Sequence, residues 1–300
     1  MKRLGRLRLA DMRGPFYPGT EGSLAFHTQM VADAAERGEL LALDDRAFVA
    51  HWVEERFPHR HLVMVHRRRD DPEALAWCRT TLDAVVDQVG DDLEVELLGN
   101  EVALRQHLLA RGDLGINAVV QAGRVEHARR NLGEVPALPE GIQLRPQQPS
   151  DVDALIELRR EVFRKEPEYF WFGASDAFVE RSREMILRNA EEEHGWVLVR
   201  AGRVVGQFEY TAYNPCVHYG TSAGLGLMLA EDLRGRGLSK LAYRTVLDSM
   251  AAEGIVWFKG TTARKGVLHL GRRMGRGVTA VWFRRNHTFP PGWFGLEGGG

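Results

Sequence analysis

The stretch Leu233-Arg234-Gly235-Arg236-Gly237-Leu238-Ser239-Lys240 constrains this chain more than any other. It follows an apolar run, Ser222–Leu229, that patterns as a strand, and it opens a helix over Leu238–Ala252. A strand that turns through glycine directly into a helix commits this part of the chain to an α/β fold. Gly235 and Gly237 let the backbone approach a ligand closely, and the first-turn N–H groups of a helix have no partner within it. Free amides at the positive end of a helix, ringed by Arg234, Arg236 and Lys240, make an anion site suited to a pyrophosphate. The spacing is wrong for a Walker loop. A dinucleotide fingerprint needs a third glycine where Lys240 stands.

The pattern around this loop is regular. Ile142–Arg145 alternates as a short strand, and Pro149-Ser150-Asp151 caps a helix running through Phe163 with Val152, Leu155, Ile156, Leu158 and Val162 on its apolar face. A second helix is expected over Asp176–Glu191, then a hairpin of Trp196–Arg200 and Arg203–Ala212. Beyond the glycine loop and its helix come a strand from Val256, a helix over Arg264–Met274 and a strand over Val278–Phe283. The order is β-α-α-β-β-β-α-β-α-β. Before it, Pro136, Pro139, Gly133 and Gly141 cluster within Leu132–Gly141 and mark a boundary. The first half reads as helices over Leu24–Arg37, Asp45–Phe57, Pro72–Val89 and Glu101–Ala110, with strands at His61–His66, Leu93–Leu98 and Ile116–Ala122. Its end repeats the end of the second half: Arg111-Gly112 precedes one strand as Met274-Gly275 precedes the other, which reads as an internal duplication.

In register, Arg234, Gly235, Arg236, Gly237 and Leu238, with Ser239 as the last small residue, resemble motif A of the GNAT superfamily of acyl-CoA N-acyltransferases, [QR]-x-x-G-x-[GA]. The element order of residues 142–285 is similar to that family's through its penultimate strand. The resemblance implies an α/β protein of two GNAT-like mixed-sheet domains in tandem. Residues 1–135 would be a degenerate copy, because no R-x-x-G-x-G stands between the His61–His66 strand and the helix at Pro72. Residues 142–286 would bind acetyl-CoA or another acyl-CoA, and 287–300 would be a tail. Pantetheine would pair with Leu227, Met228 and Leu229, and the loop from Arg234 to Lys240 would take the pyrophosphate. The implied reaction is direct attack of a primary amine of a small molecule on the thioester, moving an acetyl or other short acyl group. The alternatives are an acyl-CoA decarboxylase or O-acyltransferase on the same fold, and a non-catalytic CoA-binding module.

The family's Tyr or Asn ahead of a Leu-Gly-Phe is missing: Gly271 stands there, ahead of Met274-Gly275-Arg276. His269 is the nearest titratable substitute. Glu209 is the candidate general base, given enough burial to raise its pKa. Tyr210 beside it and Tyr213, His218 and Tyr219 on the following connection are candidates for the acceptor side. Tyr219 is the one given a catalytic part. Tyr169 and Trp171, within Tyr169-Phe170-Trp171-Phe172, would form a lid.

Composition narrows the remaining classes. Forty basic and 41 acidic side chains leave a net charge of −1, so no global field favours nucleic acid. His59, His61 and His66 lack the carboxylate or cysteine that would complete a zinc spacing, and no metal is expected. No apolar run approaches the roughly 18 residues of a membrane span. The start, Met1-Lys2-Arg3-Leu4-Gly5-Arg6, has no apolar segment behind it. Cys78 and Cys216 alone build no disulfide framework. A cytoplasmic enzyme, monomeric or homodimeric, is expected.

Overall fold

The computed structural model describes residues 1–12, 21–54, 57–91, 93–165, 176–213, 222–285, 289–290 and 292–296. The first half runs α1 (Lys2–Met12), α2 (Glu21–Glu36), β1 (Leu40–Leu43), β2 (Ala47–Glu54), β3 (Phe57–Arg67), α3 (Pro72–Gln88), β4 (Leu93–Leu98), α4 (Val102–Arg111), β5 (Leu114–Arg124) and α5 (Val125–Asn131). The second runs β6 (Ile142–Pro146), α6 (Val152–Lys165), α7 (Asp176–Glu191), β7 (Gly195–Arg200), β8 (Arg203–Tyr213), β9 (Ser222–Leu229), α8 (Leu238–Ala252), β10 (Trp257–Thr262), α9 (Lys265–Arg273) and β11 (Gly277–Arg285). The second half matches the sequence reading element for element.

The first half departs from it at β2, which is a strand where a helix over Asp45–Phe57 was expected. Ala47 and Val49 enter one core while Phe48 and Ala50 enter another, so both faces of the strand are buried. A strand covered on both sides loses its alternation and cannot be told from a helix by period.

Among the described residues the strands form one sheet in the order β1-β2-β3-β4-β11-β5-β10-β9-β8-β7-β6. The duplication is visible in it. β3-α3-β4-α4-β5 and β9-α8-β10-α9-β11 are the same unit, each opening with a parallel pair. Gly112 ends α4 and Gly275 follows α9, and the N-cap residues Glu101 and Arg264 are the same distance apart in sequence as the two glycines. The last strand of each unit is exchanged. β11 lies between β4 and β5, and β5 lies between β11 and β10. The two exchanged strands pair antiparallel from Gly277↔Ala122 to Arg285↔Leu114.

Strand parity sends alternate side chains to opposite faces. Leu93, Val95 and Leu97 enter the core beneath α3 and α4, with Phe283 from β11. On the same face of the second half, Phe208 and Phe258 pack beneath α8, against its Tyr243. Val125, Ala128 and Leu132 belong to this second core, so α5 is packed with the half that follows it. The opposite face is covered by α1 and α2 at one end and by α6 and α7 at the other. Within the expected tail, residues 287–300, Phe294 is buried among the α3–α4 core residues, and Trp293 Nε1 donates to the Ala263 carbonyl at 2.7 Å. Its aromatic residues offered apolar area that the first half's core absorbs.

Candidate active site

β9 and β10 pair only at their starts, through Trp257↔Ser222, Phe258↔Ala223 and Lys259↔Gly224. Beyond Lys259 each strand keeps only its outer neighbour. β9 stays paired with β8 as far as Leu229, and β10 with β5 as far as Thr262. The two strands therefore part, and their facing backbone edges are left for another partner. Gly260 marks the fork. A Cβ there would lie 3.4 Å from the Leu225 carbonyl and 3.2 Å from Arg276 Nη2. A cavity of about 730 Å³ opens from the fork, walled by Leu225 to Leu229 on one strand and Gly260 to Thr262 on the other.

The glycine loop closes the other end of this cavity. Gly235 and Gly237 hold φ of 74° and 77°, the left-handed region that a side chain rarely adopts. No atom lies within 4 Å of where a Cβ at Gly235 would be. Gly237 is the N-cap of α8 and supplies no side-chain cap, so the first amides of the helix are left to a ligand. Arg234, Gly235, Gly237, Leu238 and Ser239 all line the cavity, and Arg234 is held by a 3.2 Å bond from Nε to the Leu229 carbonyl. The charged side chains in the lining are Arg234, Arg264, Lys265 and Arg276; among the described residues no acid joins them. A long polyanion fits this donor set: an elongated slot with free backbone edges, a helix start at one end and cations along it.

Residues 152–275 match the model of the acetyltransferase (GNAT) family. This segment is a GNAT acetyltransferase domain. Acyl transfer from CoA is the chemistry of such a domain, with acetyl-CoA or another acyl-CoA as cofactor. The cavity between the parted strands fits that cofactor, the loop for its diphosphate and the free edges for its arm. The fold extends the likeness to the whole chain. A GCN5-related N-acetyltransferase from Sphaerobacter thermophilus is 16% identical with a TM-score of 0.58, covering 96% of this chain and 94% of that one. A tandem GNAT protein from the clavulanic acid biosynthesis pathway, solved without acetyl-CoA, gives 13%, 0.53, and 96% of both chains. A GNAT-family acetyltransferase from Colwellia psychrerythraea gives 13% and 0.51, over 95% and 96%. At these identities the fold is what they share. No curated protein matches the chain in sequence.

Leu227, Met228 and Leu229 line one cavity with Arg234, Gly235, Gly237, Leu238 and Ser239. Arg236 and Lys240 are not in the lining; Lys240 Nζ turns to the Glu134 carbonyl at 3.2 Å. Glu209 is a correction. It is buried above Gly226, but its Oε1 accepts from Arg159 at 2.5 Å and its Oε2 from Asn189 at 2.8 Å and Gln207 at 3.0 Å. Three donors engage this carboxylate, one of them a guanidinium, and it ties α6, α7 and β8 together. Tyr210 is also a correction as an acceptor contact. Its side chain points to the α8 face, its hydroxyl donates to Glu253 at 2.5 Å, and burial raises the phenol's pKa. His269 is exposed on α9, outside the cavity. Tyr169, Trp171, His218 and Tyr219 lie outside the described residues.

Sequence reasoning missed the deep end of the site. Arg276 lines the cavity, and its Nη1 donates at 3.0 Å to the hydroxyl of Tyr243, which lines it too. Arg264 and Lys265 enter from the start of α9, and burial lowers the Arg264 pKa. The signal for Arg276 was present: it is the third residue of Met274-Gly275-Arg276, where the family has Phe. Tyr243 had none, being one more apolar-spaced position of α8.

Proposed function

We propose that this protein transfers a short acyl group from CoA to a primary amine of a small molecule, by direct attack on the thioester. One observation carries the reading: a cation-lined cavity runs from the fork of β9 and β10 to the uncapped start of α8. The protein's part is to hold the thioester at the fork, bring the amine within reach and stabilise the charge that develops. The first half, on this reading, binds no CoA. Buried Arg67 at the end of β3 pairs with Glu101 at the start of α4, at 3.0 Å, and Arg67 also donates to the carbonyls of Arg68 and Arg69. That ion pair stands where the second half has its open cavity, and residues 1–135 then serve as scaffold and as a wall for the acceptor. A walled site suits a small amine. The reaction belongs in the cytoplasm, in a monomer or homodimer, without nucleic acid; among the described residues no helix is long and apolar enough to cross a membrane.

A second reading rests on Gly271. A side chain there would meet Gln121, so α9 offers no phenol to protonate a departing thiolate. Decarboxylation of an acyl-CoA leaves the thioester intact and needs no such acid.

The test is calorimetric titration of acetyl-CoA into the wild type, Gly237→Glu and Ser239→Glu. The serine variant keeps helical geometry and places a carboxylate at the diphosphate position. Micromolar binding to the wild type and a loss of at least about tenfold in folded Ser239→Glu is the expected result. Equal binding to all three would remove the loop from the site. Mass analysis of products with an amine library then separates transfer from decarboxylation.

A further inference from the structure

Arg276 is 4% exposed and enters between β5 and β10. Its Nη2 donates to the carbonyls of Gln121 at 2.6 Å and Gly260 at 3.3 Å, and its Nη1 to the Tyr243 hydroxyl. The guanidinium lies 4.8 Å from the centre of the Phe258 ring. Every one of these partners is neutral, and among the described residues Nε has no hydrogen-bond partner. Two of the other buried guanidiniums, Arg67 and Arg159, each face a glutamate. Among the described residues none does so for Arg276. An arginine cannot lose its proton, so its charge stays, and a buried charge without a counter-charge is unfavourable. The side chain lines the cavity, which leaves the ligand to bring the anion.

Position decides which anion. Arg276 sits at the fork, beside Gly260, whereas the loop that suits the diphosphate follows Leu229 at the far end of β9's free edge. A CoA thioester lying along that edge has its phosphates at Gly235–Ser239 and its acyl group at the fork. A thiolate forming there during the reaction is transient and offsets nothing in the bound ground state.

We propose that the acyl group accepted by this GNAT domain ends in a carboxylate, a short dicarboxylic thioester of the malonyl or succinyl class, with Arg276 as its counter-charge. The inference rests on the CoA reading above. The guanidinium supplies the charge and its remaining Nη1–H the donor, and the charge-assisted bond sets specificity by sign and by reach.

The experiment is calorimetric titration of CoA, acetyl-CoA, malonyl-CoA and succinyl-CoA into the wild type, Arg276→Met and Arg276→Lys. One dicarboxylic thioester is expected to bind the wild type at least about tenfold tighter than acetyl-CoA, the scale of one charge-assisted hydrogen bond. The preference should vanish in Arg276→Met and survive in part in Arg276→Lys. Equal wild-type affinities for acetyl-, malonyl- and succinyl-CoA overturn the proposal, whether or not the variants fold. Acetyl-CoA binding without preference sinks only the carboxylate; no binding of any thioester takes the CoA reading down with it.

Discussion

A Cβ at Gly271 would lie 2.2 Å from Gln121 Oε1, and Gln121 comes from the exchanged strand β5. The first half thus fills the place beside α9 where a larger residue would stand, and the glycine is a consequence of that packing. Gly271→Ala should lose up to about 1 kcal/mol of stability, because the clash is with the end of a flexible side chain and alanine regains helix propensity. Gln121→Ala should remove most of that penalty in the double variant. Chemical denaturation of the four proteins checks this, and additive effects would mean that the two residues do not compete. The Arg159–Glu209 pair gives a second prediction at this scale. Glu209→Gln leaves Arg159 buried beside a neutral group and should cost about 3–5 kcal/mol. If its catalytic effect stays small when the protein is kept folded at low temperature, the residue is structural. The loop residues were legible in the sequence because glycine and arginine at fixed spacing have few meanings. Tyr243 was not, because what matters about it is which strand faces it across the cavity.

Among the elements, α1 went unread although Leu4 and Leu7 are buried on it. Its Gly5 lowers helix propensity, and the reason lies outside the helix: a Cβ there would be 2.5 Å from Thr28 Oγ1 of α2. The helix is docked by charge as well as by packing. Asp11 accepts from Arg69 at 2.5 Å and meets His66 of β3 at 3.0 Å. Burial alone would raise the Asp11 pKa, but His66 and Arg69 outweigh it and hold the pKa down. Burial also lowers the His66 pKa, so the imidazole is neutral near pH 7 and Arg69 is the working cation. Both shifts have the same sign of linkage. A depressed pKa gives stability that is present above the unfolded value and lost as pH falls toward the folded one. Stability should therefore begin to fall below about pH 6.5 through His66 and fall further below about pH 4 through Asp11. His66→Gln should flatten the first decline in thermal melts and leave the second. An unchanged profile between pH 6.5 and 5 would exclude His66 as its source.

For the whole molecule, the sequence carried the duplication but not the exchange. Arg111-Gly112 and Met274-Gly275 announce two equivalent strands, and nothing local says that each completes the other's sheet. That choice is made by long-range pairing: β5 borders β10, and β11 borders β4. The boundary at Leu132–Gly141 therefore separates two sequences but not two independently closed sheets. A fragment of residues 137–300 would lack β5, exposing the outer edge of β10 from Trp257 to Thr262, and would also lack α5, whose Val125 and Ala128 cover part of the α8 core. A fragment of residues 1–136 would lack β11 between β4 and β5 and leave Val281 and Phe283 missing from its core. Open edges and uncovered apolar faces favour aggregation over folding. Each fragment alone should be insoluble or self-associated, and co-expression should give a soluble complex that binds acetyl-CoA as the intact chain does. A monomeric 137–300 fragment with full thermal stability and unchanged affinity would show that the exchanged strand is dispensable. On the proposed function, the fork that would hold the thioester has β10 as one wall, and β10 is braced from behind by β5 of the other half. The first half would then contribute to CoA binding by bracing that wall, without a phosphate loop of its own.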